Sequence, residues 1–573
     1  MPATAASPPH SLGALLRSSC RTYSNKTALL VPKEKGFDPV TYEQLYERAR
    51  RWASGVRSLG LSRGDRLCIL SENCVEWALL DWACQTLGVV VVPIYPTLTS
   101  EQACYIVGNA GARVVVCGDS KQWQKVEALQ GVRSILLKGG EDSMETISSQ
   151  AALITDDAWD SSIDQTRPED VATIIYTSGT TGLPKGAMLA HRNFLWMTGA
   201  ITGNFGLDER EIFLSFLPLS HVLERSNGHF LPIELGATIA YSRSLASLAS
   251  DLVSVGPTVL LSVPRFLEAT MGRIKENAKK EGGLKLKLFN MTLSQGDRRA
   301  NGRFAPLWPL LNRIVGSKVR ARLGGRMRFL VSGGAALPRH VYDFYTAFGL
   351  LVVQGYGLTE TTSAFAVNDP LKPIAVDTVG QIFNGVECRI AEDGEIIVRG
   401  PAVMLGYHNE PEETMAALDA DGWFHTGDIG VFEGENLKIT DRKKDLLVLG
   451  NGKNVAPQPI ENRLRASPLI SEAVVLGDGM DACVALIVPD FTALRREFGA
   501  HSDEEFAKLP EAQKAIKAEV DRINKTLAGY EMVKRHALLT TPFTIESGEL
   551  TPTLKVKRKV VLEKHAELVR SLA

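Results

Sequence analysis

The sequence predicts an α/β protein: a large N-terminal body built on several sheets, followed by a small α+β domain. Three observations lead there. The chain has 573 residues, more than one hydrophobic core ordinarily supports, so two or more domains are expected. Across residues 41–239, helical patterns alternate with short apolar runs at 67–70, 89–94, 114–116 and 135–137, and further runs follow at 259–263, 329–331 and 351–353. Such alternation marks α/β units around largely parallel sheets. Beyond about residue 441 the texture changes: residues 446–449, 473–476 and 483–488 read as strands, with helical runs at 459–465 and 504–527. Residues 1–441 therefore form the body and 442–573 a domain of about 130 residues, an ordinary domain size.

Taken from the start, residues 1–9 are small and polar and do not read as a secretory signal. The most apolar window, 77–95, is interrupted by Asp81, Gln85, Gly88 and Pro93. It reads as a buried helix followed by a strand, not as a membrane span. Eight cysteines lie scattered without a Cys-x-x-Cys pair or paired histidines, as expected of reduced thiols in a cytoplasmic protein rather than disulfides or a zinc site. A net charge of −1 with 23% charged residues gives nucleic acid no bulk electrostatic foothold. Residues 273–288 interleave Lys275, Lys279, Lys280, Lys285 and Lys287 with apolar residues. A solvated helix face is the plainer reading, and a basic patch touching anionic headgroups at a membrane is the sharper one.

Chemistry concentrates in Tyr176-Thr177-Ser178-Gly179-Thr180-Thr181-Gly182-Leu183-Pro184-Lys185-Gly186. An apolar β-branched run precedes it, and 194–197 after it reads as the start of a helix. The expected strand, glycine- and hydroxyl-rich loop, then helix would aim backbone N–H groups at an anion. Thr177, Ser178, Thr180 and Thr181 offer hydroxyls to phosphate oxygens, Gly179 and Gly182 let the backbone approach, and Lys185 adds a compact charge. Leu183 and Pro184 separate Gly182 from Lys185, so this is not the P-loop of nucleotide hydrolases.

Four further stretches join it. Ser332-Gly333-Gly334-Ala335 follows a strand and leaves room for a flat heterocycle. In Gly355-Tyr356-Gly357-Leu358-Thr359-Glu360, Tyr356 can stack on a purine, Thr359 can bond an oxygen and Glu360 can hold Mg²⁺. Asp428, after a glycine turn, can accept two hydrogen bonds from ribose hydroxyls. Residues 438–445, including Arg442 and Lys444, precede Gly452-Lys453-Asn454, and near the end a turn-rich stretch presents Lys555.

Five motifs in this order resemble the adenylate-forming superfamily of acyl-CoA synthetases, firefly-type luciferases and peptide-synthetase adenylation domains, from about residue 42 to 558. Residues 421–445, 217–225 and 550–558 are similar to long-chain fatty acid–CoA ligases of bacterial type. That resemblance implies ATP, Mg²⁺ and coenzyme A as cofactor and co-substrates and a fatty acid as substrate. It implies two half-reactions: acyl-AMP plus pyrophosphate, then acyl-CoA plus AMP. The segment from Thr177 to Lys185 would hold the β- and γ-phosphates, with Thr177 and Glu360 at the metal. Gly333, Gly334, Ala335 and Tyr356 would flank adenine, Asp428 and Arg442 would bind ribose, and His221 and Gly333 would lie near the acid. Lys555 would reach the α-phosphate, Lys444 would be the hinge of a mobile C-terminal domain, and Gly452, Lys453 and Asn454 would replace Lys555 for the CoA step. An ordinary core histidine fits position 221 equally well.

Gly452-Lys453-Asn454 departs from the Gly-Glu-Tyr frequent in eukaryotic long-chain enzymes, and the chain is shorter, without their N-terminal anchor; a cytoplasmic enzyme is expected, with peripheral membrane contact and a homodimer left open. A fatty acyl-AMP ligase, a medium-chain or aryl acid–CoA ligase and a luciferase-like oxygenase are related alternatives. A nucleotide- or lipid-binding pseudoenzyme is the non-enzymatic one.

Overall fold

The computed structural model describes residues 8–177, 183–372, 374–450, 453–544, 547–550 and 556–572. The chain forms two compact units, the first comprising Met1–Leu337, Val341–Cys388 and Val398–His425 and the second Pro338–His340, Arg389–Ile397 and Thr426–Ala573.

The first unit is built on two sheets. One has seven strands, in spatial order Gly406–Tyr407, Lys185–Ala190, Val171–Thr177, Val90–Ile94, Arg66–Leu70, Val114–Cys117 and Arg133–Leu136. Its inner strands pair in parallel, and the two at the Gly406 edge run antiparallel. The second sheet has nine strands with a parallel centre: Ile212–Ser215, Val259–Ser262, Phe329–Ser332 and Leu351–Leu358 lie side by side. The parallel strands read as near-continuous apolar runs because helices cover both faces. The window 77–95 is the expected buried helix and strand, Val75–Leu87 and Val90–Ile94. Thr41 and Gln44 form a capping box that starts helix Tyr42–Ser58. Among the described residues no helix is long and apolar enough to cross a membrane, and all eight cysteines are free.

The second unit carries a three-stranded sheet, Ile470–Leu476, Cys483–Pro489 and Val533–Leu538, over a core that includes Ile460, Leu464, Ile516 and Val520. The helical run expected at 504–527 is two helices, Asp503–Lys508 and Pro510–Asn524, because Pro510 lacks an N–H and clashes with a continuing turn. By packing, residues 426–441 group with this unit. Strand Phe424–Glu433 pairs with Asn436–Arg442 as a hairpin, Asp428 opposite Arg442, and a ladder of that kind holds its strands together.

Candidate active site

The expected strand–loop–helix around Lys185 is corrected by the structure. Val171–Thr177 and Lys185–Ala190 are the two arms of an antiparallel hairpin, with Thr177 opposite Lys185 and Val171 opposite Ala190. Helix His191–Phe205 begins at the far end of the second arm. Six residues of strand, about 20 Å at 3.3 Å each, separate its N-terminus from the loop, so its dipole does not face a ligand there. The cause is visible in residues 186–190, whose buried pattern continues the sheet. A Cβ on Gly186 would meet Ile174 Cγ2 at 2.6 Å and Tyr176 Cζ at 3.0 Å, so a larger residue would push the arms apart. Ser178, Gly179, Thr180, Thr181 and Gly182 lie outside the described residues.

Across the hairpin edge runs strand Gly406–Tyr407, with Tyr407 opposite Ala187. It carries the contacts that organise the site. The Lys185 ammonium pairs with Glu413 and lies 5.5 Å from the centre of the Tyr407 ring. The Tyr407 hydroxyl donates to Glu360 Oε1 at 2.9 Å, and the Met404 N–H donates to the Glu360 carbonyl at 2.8 Å. Burial, then the Glu360 carboxylate, pushes the Tyr407 phenol well up, so it remains a donor. Lys185 and Glu360, 175 positions apart in sequence, thus share one tyrosine.

Glu360 is buried in a short 3₁₀ turn, Thr359–Thr361. Two non-glycine residues with left-handed backbone follow it, Thr362 at φ 54° and Ser363 at φ 88°. Such geometry is costly and persists only where surroundings enforce it. The enforcement is on both sides: Thr362 Oγ1 donates to the Ala402 carbonyl at 2.7 Å, and Asn227 Nδ2 donates to Ser363 Oγ at 2.9 Å. Gly357 is forced by the same turn, since a Cβ there would lie 1.8 Å from the Ser363 carbonyl oxygen. Tyr356 is buried, with its ring edge-on to Phe365 at 5.1 Å. Gly355 to Gly357 and the partly buried Thr359 sit on or just beyond strand Leu351–Leu358, so this motif is itself strand where the sequence reading placed it after one.

Gly333, Gly334 and Ala335 follow strand Phe329–Ser332 as expected. Gly333 lies against Leu223, and the Leu337 N–H donates to Gln354 Oε1 at 3.2 Å, tying this turn to the Tyr356 strand. His221, two residues before Leu223, caps a short helix: its Nδ1 accepts from the Leu223 N–H at 3.1 Å. A neutral imidazole accepting at Nδ1 carries its proton on Nε2 and donates from there.

A profile of AMP-binding enzymes matches residues 16–408, and one of the AMP-binding enzyme C-terminal domain matches 444–572. Long-chain-fatty-acid–CoA ligase FadD15 of Mycobacterium bovis is 36% identical over 93% of this chain and 92% of its own. The chain belongs to the AMP-binding enzymes, in the long-chain acyl-CoA ligase group. Peroxisomal long chain acyl-CoA synthetase 6 of Arabidopsis thaliana is 30% identical over 93% of this chain and 81% of its own. Among solved structures, the adenylation domain of a carboxylate reductase from Mycobacterium chelonae superposes with a TM-score of 0.78 at 23% identity, over 99% and 92% of the two chains.

In the second unit of this AMP-binding enzyme, Arg442 Nε lies 3.0 Å from Asp428 Oδ1, the two facing each other across the hairpin. Gly427 N–H donates to Glu395 Oε1 at 2.8 Å, and Lys443 pairs with Asp393 and Glu395. Lys444 is exposed in the turn after the hairpin, and Lys453 and Asn454 are exposed before helix Pro457–Arg465. Gly452 and Lys555 lie outside the described residues.

Sequence reasoning missed Tyr407, Glu413 and Asn227. Tyr407 and Glu413 act on Lys185 and Asn227 acts on Ser363, each over a hundred residues away, and none stands in a motif of its own. It also missed Arg225, wholly buried and bidentate to Asp81 at 2.8 and 2.5 Å, whose third nitrogen donates to Thr173 on the strand leading to Thr177. Arg225 closes the 217–225 stretch, but nothing local in the sequence announces its partner.

Proposed function

We propose that this protein is a long-chain fatty acid–CoA ligase working in two steps from ATP. The observation that carries this reading is the Lys185–Tyr407–Glu360 arrangement: a cation and a carboxylate held at fixed separation by one protonated phenol. A carboxylate is a poor electrophile, because a thiol attacking it must expel oxide. In the first step a carboxylate oxygen bonds to the α-phosphorus of ATP and the bond to pyrophosphate breaks. In the second the CoA sulfur bonds to the acyl carbon, the bond to AMP breaks and the thiol proton leaves. Charge accumulates on the phosphates in the first step, and fixed groups that meet it without reorganising lower the barrier.

In this reading Lys185 and Thr177, with the residues between them, take the β- and γ-phosphates. Glu360 fits a Mg²⁺ held by one carboxylate plus phosphate oxygens, the usual mode for that ion, and Thr177 is the second candidate donor. The metal would neutralise charge on the phosphates. Gly333, Gly334, Ala335 and Tyr356 face adenine, Thr359 bonds a phosphate or acyl oxygen, and Asp428 with Arg442 takes the ribose. His221 donates from Nε2 to the acid. Lys555 serves adenylation and the Gly452-Lys453-Asn454 side serves thioester formation, the C-terminal domain turning at Lys444 between two docked states. The long-chain preference is supported by the relatives named above.

The test is pyrophosphate release against acids from acetate to oleate, with and without CoA. Release should peak with the long acids and yield acyl-CoA, and Lys185→Ala and Glu360→Gln should each lower it about 100-fold with the fold intact. Release without thioester would instead assign an acyl-AMP ligase. Absence of release with every acid would overturn the reading.

A further inference from the structure

We propose that the helical segment between strands Val259–Ser262 and Phe329–Ser332 is a docking surface for an anionic phospholipid bilayer. The two strands are parallel neighbours, and a crossover between such neighbours needs only a dozen or so residues. Here 66 residues intervene, folded chiefly as helices Pro264–Glu281 and Gly283–Ala300. One side is accounted for: Leu267, Met271, Ile274 and Phe289 pack into the body's core.

The exposed surface of this segment has two properties that rarely coincide on a surface facing only water. It is strongly positive. Residues 273–328 hold fifteen Lys and Arg against three acids, Glu276, Glu281 and Asp297, in a chain whose net charge is −1. Eleven of the basic residues, from Arg273 to Arg322, are exposed. Arg320, Arg326 and Arg328 are engaged in the fold, with Asn312, the Gly256 carbonyl and Glu211 respectively, and Lys280, Lys285 and Arg322 reach Glu276 or Glu281.

It is also apolar where it protrudes. Leu284 is 71% exposed, Phe304 79% and Leu310 59%, with Leu307 and Ile314 beside them in sequence and also exposed. A shallow groove runs along Gly283, Leu286, Lys287, Asn290, Met291 and Ser294, a helical spacing that places apolar and basic side chains on one face. Positive charge alone would suit any polyanion. Protruding leucines and a phenylalanine among the lysines suit a headgroup layer with acyl chains beneath it, where both kinds of side chain are satisfied at once. Anionic lipid supplies the complementary charge, and attraction to it falls off within a Debye length.

The experiment is flotation of the intact protein with vesicles of phosphatidylcholine alone or with about 30% phosphatidylglycerol, at about 0.1 M and 0.5 M salt. Binding should require the anionic lipid and weaken about tenfold or more at the higher salt. Two variants separate the contributions, Lys287→Glu/Arg303→Glu/Arg313→Glu and Phe304→Ser/Leu310→Ser, and each should lose binding about tenfold while turnover of a short, water-soluble acid is unchanged. Equal binding to neutral vesicles, or unaltered binding by the charge variant, would overturn the proposal. So would retention by Phe304→Ser/Leu310→Ser together with displacement by duplex DNA, which would assign a general polyanion site. Binding is read apart from turnover, so failure here leaves the ligase reading where it stands.

Discussion

Arg225 in the first unit and Arg558 in the second are both largely sequestered guanidiniums, yet the number of carboxylates each faces differs. Arg225 faces one carboxylate, Asp81, which also receives Gln85 Nε2 at 3.0 Å and lies 3.4 Å from His229 Nε2. Burial alone would raise the Asp81 carboxyl, but Arg225 and His229 outweigh it and hold the group far below the usual carboxylate range. Arg558 faces three carboxylates. It donates to Glu461, lies 3.7 Å from Asp445 and sits near Asp441. Burial pushes Asp441 up to about 7, with Asp445 and Glu461 adding to the shift against Arg558 and the Arg442 N–H. Its Oδ2 has no hydrogen-bond partner among the described residues. The two clusters differ in how completely the charge is matched: Asp81 is met by Arg225, which also locks the strand that leads to Thr177, while the Arg558 cluster keeps a carboxyl raised to about 7 three positions before the proposed hinge.

The contrast breaks most sharply at Arg225. Arg225→Met should cost about 3–5 kcal/mol in denaturant unfolding, because it leaves a buried, uncompensated charge at Asp81; Asp81→Leu/Arg225→Met should recover most of that. A single variant costing under about 1 kcal/mol would show that the pair does not hold the core.

A smaller effect is expected at Asp441. A carboxyl raised from about 3.9 in the unfolded chain to about 7 in the folded one binds its proton more tightly when folded. Its contribution is therefore present below about pH 4 and lost as pH rises toward and through 7. The full shift would be worth about 4 kcal/mol, and solvent screening of this partly exposed cluster leaves about 2 kcal/mol to be lost from the second unit in thermal unfolding between pH 4 and 8; Asp441→Asn should flatten that slope. An equal slope in the variant would assign it to other groups.

The smallest expected effect tests the strained turn behind Glu360. Asn227→Ala removes one brace from Ser363 and should lower kcat for adenylation about five- to tenfold, near 1 kcal/mol, with little change in Tm. In a Ser363→Gly background, where a left-handed backbone is no longer strained, the same change should matter much less. Additive losses would mean that Asn227 acts elsewhere.

What was legible in the sequence follows from the range of the forces involved. Strand periodicity and the apolar run at 171–176 are local, and the sheets appear where they were expected. Motif glycines such as Gly357 were legible as necessary but not as to why, since the obstacle is the Ser363 carbonyl six residues on. The helix expected after the glycine- and hydroxyl-rich loop starts only at His191 because residues 186–190 have both a loop-like glycine and a nearly continuous buried run, and only pairing with 171–177 decides between them. Tyr407 and Asn227 left no trace because their contacts are tertiary. The long basic crossover was visible as lysines at 273–288, whereas its exposed leucines and phenylalanine required knowing which side of each helix the core takes.

The hairpin has an implication for redesign. Lys185 stands in register opposite Thr177 and one strand away from Tyr407, so the sheet's ladder, rather than the intervening residues, sets the coordinates of its ammonium. On the reading proposed above, changing the length or hydroxyl content of the segment joining the two arms would alter phosphate affinity while the backbone of Lys185 keeps its register.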